Sequence, residues 1–186
     1  MSLLTILTDD NPRVRLKSQK VTKFDKNLRK LSEDMLETMR EADGVGLAAP
    51  QVGILQRLVV IEFPADYEYE GSPARHLVIA NPELIKKGGG EESGIEGCLS
   101  VPGWYGEVDR FLKVTVRGQD INGKPIRFEA EGEYARCLQH EVDHLDGILY
   151  TDRIKDPRLL RRVEDDDEEE EDASQQAALQ NLLKSK

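Results

Sequence analysis

Two histidines one helical turn apart, with an acid between them, are enough to suggest a chemistry. The segment His140-Glu141-Val142-Asp143-His144 has that arrangement. Two neutral imidazoles at positions i and i+4 can grip one ion, and a carboxylate beside them can move protons for a water at that ion. At about 100° per residue, with Cys137 at zero, His140 lies at about −60°, His144 at about −20° and Glu141 at about +40°. Leu138 and Leu145 share this face, at about +100° and +80°, so the face is expected to be buried. The chain holds three histidines and the motif uses two of them. The third, His76, precedes a strand-like run and is expected to be structural or exposed. The motif alone predicts a metal-dependent hydrolase.

A catalytic ion usually has three protein ligands and one open position, so a third ligand must come from elsewhere. Cys98 stands just after a glycine in Glu96-Gly97-Cys98-Leu99-Ser100, and a thiolate is a good ligand. Glu96, Asp143 and Cys137 are chemically able as well. Asp143 lies at about −120°, off the histidine pair. Cys137 shares the face, but its short side chain sits a turn from His140. Spacing by itself leaves the third ligand open.

The elements that must carry these groups can be read from the same sequence. Phe24 to Ala42 has helical spacing of Leu28, Leu31, Met35 and Met39, with Asp25 as a natural N-cap. A glycine-punctuated loop follows over Gly44 to Gly53. Leu58 to Ile61 and Leu77 to Ile79 look like buried strands, with a loop from Pro64 to Pro73 between them. Gly88-Gly89-Gly90 suggests a turn. Lys113 to Gln119 alternates as a strand does, and Asn122-Gly123 marks a hairpin into Ile126-Arg127-Phe128. Glu133 to Asp146 predicts a second helix that Gly147 would end. Hairpin-linked strands with few helices point to an α+β domain: antiparallel or mixed β-sheets packed around a central helix that carries the motif.

Composition limits the alternatives. The 186 residues fit one domain, expected over residues 1–163. Nine consecutive acids, Glu164 to Asp172, account for most of the net charge of −10. Residues 164–186 are expected to form a solvated acidic tail, with Ala173 to Leu183 able to make a short helix. No long apolar run and no basic leader precede the domain. A cytoplasmic protein with Cys98 and Cys137 reduced is the expectation.

Three segments together resemble the peptide deformylase family: Gly44-Val45-Gly46-Leu47-Ala48-Ala49-Pro50-Gln51, Glu96-Gly97-Cys98-Leu99-Ser100 and Gln139-His140-Glu141-Val142-Asp143-His144. The likeness runs from about the first helix to Asp152. It implies Cys98, His140 and His144 as ligands and Glu141 as general acid and base. It implies ferrous iron as the ion, with zinc or nickel able to replace it, whereas ligand chemistry alone favours zinc. The substrate implied is the N-terminal formyl-methionine of nascent peptides, with formate released. Gln51 through its side-chain amide and Leu99 through its backbone N–H would serve the developing oxyanion. The peptide would add as a strand along Gly44 to Gly46 and Gly97. An apolar pocket near Val45 and Cys137 would take the methionine side chain, and a Glu96–Arg110 ion pair would steady the Cys98 loop. A monomer is expected.

Bacterial members of the family can dock on the ribosome through basic residues near the C-terminus. The stretch from Arg153 to Arg162 is the candidate here, although the acids after it would be repelled by RNA phosphates. A dinucleotide turn at Gly44-x-Gly46 is rejected, because a helix precedes it and Pro50 follows. Two rival readings are a peptidase that cuts internal amide bonds and a peptide-binding descendant without activity. Intact Glu141, Gln51 and all three ligands argue against the second.

Overall fold

The computed structural model describes residues 2–163. The acidic run and the expected helix over Ala173 to Leu183 lie outside the described residues. Helix α1 spans Lys26–Glu41, and the Asp25 carboxylate accepts the backbone N–H groups of Asn27 and Leu28 at 3.0 and 3.1 Å. This cap satisfies donors that the first helical turn leaves orphaned. Leu28, Met35, Leu36 and Met39 form its buried stripe.

Five strands form an antiparallel path in chain order: β1 Gly46–Ala48, β2 Leu58–Phe63, β3 Arg75–Cys98, β4 Val101–Gln119 and β5 Pro125–Glu131. A short sixth strand, β6 Leu160–Arg162, pairs with the start of β4 over Trp104 to Gly106. Helix α2, Gly132–Leu145, follows β5 and carries the whole His140–His144 segment. The α+β class with antiparallel pairing is as the sequence led us to expect.

The continuous apolar run of β2 has a simple cause. Val59, Ile61 and Phe63 point into one core with Tyr134, Ala135, Leu138 and Leu145 of α2. Leu58 and Val60 point into another with Leu28, Met35 and Met39 of α1. A strand buried on both faces shows no alternation.

The glycine run does not turn the chain. Gly88 to Gly90 lie within β3, where the register against β4 shifts between Gly88 and Glu91, and Gly89 and Gly90 adopt φ of +79° and +82°. This is a β-bulge, which left-handed glycines permit without breaking the pairing. His76 also lies within β3 rather than before it, opposite Glu62. Among the described residues, no helix is long and apolar enough to cross a membrane.

Candidate metal centre

Helix α2 is buried along nearly its whole length, polar residues included. Buried polar groups persist only when they are paired, so their partners define the site. The helix starts without a side-chain cap of its own. Instead, Glu68 from the loop after β2 accepts the Tyr134 N–H at 3.0 Å. At the other end Gly147 has φ +77°, and a Cβ there would lie 2.3 Å from the Arg15 carbonyl oxygen. Only glycine lets the chain leave the helix at that point.

The fold brings Cys98, His140 and His144 together, with one ligand atom from each lying within 4.8 Å of the others. His144 Nε2 stands 3.1 Å from His140 Nε2 and 3.3 Å from Cys98 Sγ. Cys98 ends β3 at the last of four register shifts against β4, between Gly97 and Cys98, just before the tight turn into β4. Such shifts redirect side chains, here toward α2.

Glu96 governs the orientation of this cluster. Its carboxylate faces His140 Nδ1 at 2.9 Å, which leaves Nε2 as the nitrogen turned to the cluster. Arg110 grips the same carboxylate with two hydrogen bonds of 2.8 and 2.9 Å, and Arg136 adds a third at 3.2 Å. Burial opposes ionisation of Glu96, yet the hydrogen bonds from Arg110 and His140 outweigh it and hold its pKa at about 2. Glu96 is therefore a partner of His140 rather than a member of the ligand cluster.

The other two rival ligands are also engaged elsewhere. Asp143 accepts from Arg110 at 2.6 Å and from Arg153 at 2.6 and 3.0 Å. Cys137 faces β1, where a Cβ on Gly46 would lie 2.9 Å from its Sγ. Burial raises the Cys137 thiol well above its usual pKa, so it stays protonated.

The surroundings of the cluster suit a cation. Burial works against charge on His140, but its contacts with Cys98 and Glu96 outweigh this and raise its pKa. The groups around His140 thus favour one positive charge there, as a proton or a metal ion supplies. Burial and the charge of His140 lower His144, which keeps it a neutral donor. One thiol and two imidazoles form a donor set suited to zinc or ferrous iron.

Glu141 is 3% exposed and its Oε2 has no hydrogen-bond partner among the described residues. Burial pushes its pKa up to about 7, which suits a group that must both take and return a proton near neutral pH. Its Oε1 lies against β1, 2.4 Å from where a Cβ on Gly46 would stand. The strand can run this close to the acid only because Gly46 has no side chain.

Gln51 is 2% exposed and fixed at both ends of its amide. Its Oε1 accepts the Ala48 N–H at 2.8 Å, which directs Nε2 toward Ser100 Oγ at 3.2 Å and Cys98 Sγ at 3.6 Å. The Gln51 donor therefore sits at the edge of the ligand cluster.

A cavity of about 470 Å³ opens over these groups. Val45, Gly46, Gln51, Gly97, Cys98, Leu99, Cys137, His140 and Glu141 all line it. His144 lies behind them at 1% exposure. Ser100 lies in the Glu96–Ser100 motif but was assigned no role, and sequence reasoning missed Glu68 and Tyr150, whose ring stacks on His140 at 6.1 Å. Arg136 did leave a trace. It precedes His140 by one turn, so a cation falls beside the motif on a helix face that had to be buried.

The sequence matches the family model described as polypeptide deformylase over residues 3–159. The peptide deformylase of Thermomicrobium roseum is 47% identical over 165 residues, covering 89% of this chain and 93% of the relative. The crystal structure of peptide deformylase from Thermotoga maritima superposes with a TM-score of 0.77 at 40% identity, covering 84% of this chain and all of that one. A Met-Ala-Ser-bound crystal structure of the class I type b enzyme from Acinetobacter baumannii gives a TM-score of 0.77 at 35% identity, covering 83% and 100%.

Proposed function

From the premise that this chain belongs to the polypeptide deformylase family, we propose that Cys98, His140 and His144 hold one divalent ion and that Glu141 performs the proton transfers of N-formyl hydrolysis. The reaction of the family is removal of the formyl group from the N-terminal formyl-methionine of nascent polypeptides, with release of formate. The observation that carries the assignment is the convergence of three ligand atoms within 4.8 Å beside a buried carboxylate whose Oε2 has no hydrogen-bond partner among the described residues.

When bound, the ion supplies a Lewis acid that lowers the pKa of a water and polarises the formyl oxygen. We take ferrous iron as that ion, with zinc and nickel as substitutes. Glu141 accepts the proton of the attacking water through Oε2. It then returns the proton to the nitrogen of the leaving amine as the formyl carbon–nitrogen bond breaks. Gln51 Nε2 and the Leu99 backbone N–H donate to the oxygen that gains charge. Gln51 is suited to this because the Ala48 N–H already fixes its amide, so no reorganisation is needed during the reaction.

The peptide lies as an added strand along Gly46 and Gly97. A Cβ on Gly97 would meet nothing closer than the Trp104 carbonyl oxygen at 3.8 Å. The protein's own packing leaves room there, and a peptide backbone is what would use it. Val45 and Cys137 form the apolar part of the pocket for the first side chain.

Replacing Glu141 by Gln tests the central assignment. Formate release from formyl-Met-Ala-Ser is expected to fall by about 10²-fold or more, with the bound ion retained. Full activity with full ion content would remove Glu141 from the proton path. Peptides cut internally, without free formate, would favour the peptidase reading.

A further inference from the structure

The residues ahead of α1 tie three parts of the molecule together. Ser2 and Leu4 donate their backbone N–H groups to α1, at Asp34 Oδ1 and Thr38 Oγ1, both at 2.9 Å. Leu7 and Asp9 donate theirs to the site. Leu7 N–H meets the Gln51 carbonyl oxygen at 2.7 Å, and Asp9 N–H meets the Ser100 carbonyl oxygen at 2.8 Å. Within each pair the donors are two residues apart, the period of an extended chain. Leu7 and Cys98 also pack against the same core of Val101, Leu149 and Tyr150.

Gln51 and Ser100 belong to parts of the fold that no strand pairing joins. Gln51 lies in the short helical turn Ala49–Val52 after β1, and Ser100 lies in the turn between β3 and β4. β1 pairs with β2 and the end of β3 pairs with β4, so among the described residues no ladder crosses from β1 to the Cys98 turn. The side-chain link across that gap is Gln51 Nε2 to Ser100 Oγ at 3.2 Å, with Cys98 Sγ at 3.6 Å. This link uses the very donor that must share itself with the reacting oxygen. The bonds from Leu7 and Asp9 do not. They hold Gln51 and Ser100 through carbonyl oxygens that the reaction leaves alone. Their hold extends to the neighbours of Ser100, whose own N–H donates to Cys98 Sγ at 3.4 Å. Leu99, with its N–H for the oxyanion, lies between those two residues.

We propose that Leu7 and Asp9 are positioning residues of the reaction, whose backbone N–H groups set the span between Gln51 and the Leu99–Ser100 turn and so the aim of both oxyanion donors. Donors fixed in advance give most where charge develops, so the brace acts on the transition state more than on the bound peptide. Loosening it lowers kcat and leaves KM nearly unchanged. This proposal rests on the deformylase reading of the same cavity.

Asp9→Pro removes one of the two donors with little else. Thr8 to Asn11 form a tight turn closed by the Asn11 N–H on the Thr8 carbonyl oxygen at 2.9 Å. Asp9 is the second residue of that turn, where proline is favoured. The non-glycine residues with positive φ among the described residues are Asp43, Asp66 and Asn81, so the φ of Asp9 does not oppose the ring. The test uses the full chain loaded with its ion and formyl-Met-Ala-Ser. In Asp9→Pro kcat is expected to fall about ten-fold, with KM and ion content within about two-fold of wild type. Leucic acid in place of Leu7, which turns that amide into an ester without the N–H, is expected to do the same. Leucic acid in place of Leu4 is expected to lower the melting temperature and leave kcat within about two-fold. In a Gln51→Ala background the cost of Asp9→Pro is expected to shrink to about three-fold or less, because a donor that the brace aims is already gone. Wild-type kcat in both Asp9→Pro and the Leu7 ester would overturn the proposal. So would an equal loss with and without Gln51, or a Leu4 ester as damaging as the Leu7 ester. Wild type that releases no formate would sink the deformylase reading itself, whereas unaffected variants of an active wild type would sink the brace alone.

Discussion

Gly46 shows how narrowly the site is built at the scale of a residue. Its missing Cβ would stand 2.4 Å from Glu141 Oε1 and 2.9 Å from Cys137 Sγ. Gly46→Ala must therefore displace Glu141, and a shift near 1 Å at a reacting group can cost about 10²-fold in rate. The expected result is a loss of kcat of that order with ion content unchanged, read by formate release alongside metal analysis. Arg110 makes a second case. It is buried against both Glu96 and Asp143, and removing one partner of a buried ion pair costs about 3–5 kcal/mol. Arg110→Met is expected to lower the urea midpoint accordingly. That His140, His144 and Glu141 stand side by side could be read from the sequence because they share one helix, where spacing fixes direction. Glu96, Arg110 and Arg136 come from three elements; the resemblance pointed to the Glu96–Arg110 pair, but no local pattern reports which side chains meet across a fold. The rank of Cys98 over Glu96 and Cys137 came from resemblance, and the structure adds the physical grounds: each competitor faces another partner.

Among the elements, the helices were legible and the long hairpin was not. Strands β3 and β4 run together from the central sheet out to the Cys98 turn, yet only Leu77 to Ile79 and Lys113 to Gln119 stood out in the sequence. Between them lie Lys86-Lys87, three glycines and Glu91-Glu92-Ser93, most of them exposed. A hairpin that leaves the core has no buried face to impose alternation, so the pattern that marks strands fades there. The glycines looked like a turn for the same reason. What the sequence could not show is that β4 supplies a continuous partner on the other side of the bulge. The loop after β2 was also read as a mere connection. It delivers Glu68 to the N-terminus of α2, where a carboxylate favours the orphaned donors and the helix dipole. Glu68→Ala is expected to destabilise the protein by about 1 kcal/mol, or roughly 2–4 °C in Tm for a domain of this size. Scanning calorimetry of the two proteins checks this.

For the molecule as a whole, charge is distributed in a way that composition conceals. The basic stretch before the acidic run looked free to meet RNA. In the structure Arg153 binds Asp143, Lys155 pairs with Asp109 and Arg158 pairs with Asp156. Those cations are partly spent within the protein, and Arg153 helps to hold the α2 end of the site. A chain ending at Val163 is expected to be retained on ribosomes more than the full chain, because nine repelling charges are gone. Equal retention in a pelleting assay at low salt would show the acids to be inert. The basic stretch ends at β6, whose pairing with β4 returns the chain to the cavity, and Val163 lines it.

The grip of Arg110 and Arg136 on Glu96, and of Glu96 on His140, bears on the order of events when the protein acquires its ion. His140 is oriented by a bond the polypeptide makes with itself, so folding is expected not to wait on the metal. Chelation should then leave a folded, cooperative protein, unlike small zinc modules that unravel when stripped. Its melting temperature should rise with added ion only as mass action requires, by an amount that grows with the logarithm of free ion concentration. Loading is then expected to be a docking step, reversible in the finished protein, and dialysis of one divalent ion against another should exchange them without a change in the circular dichroism of the fold.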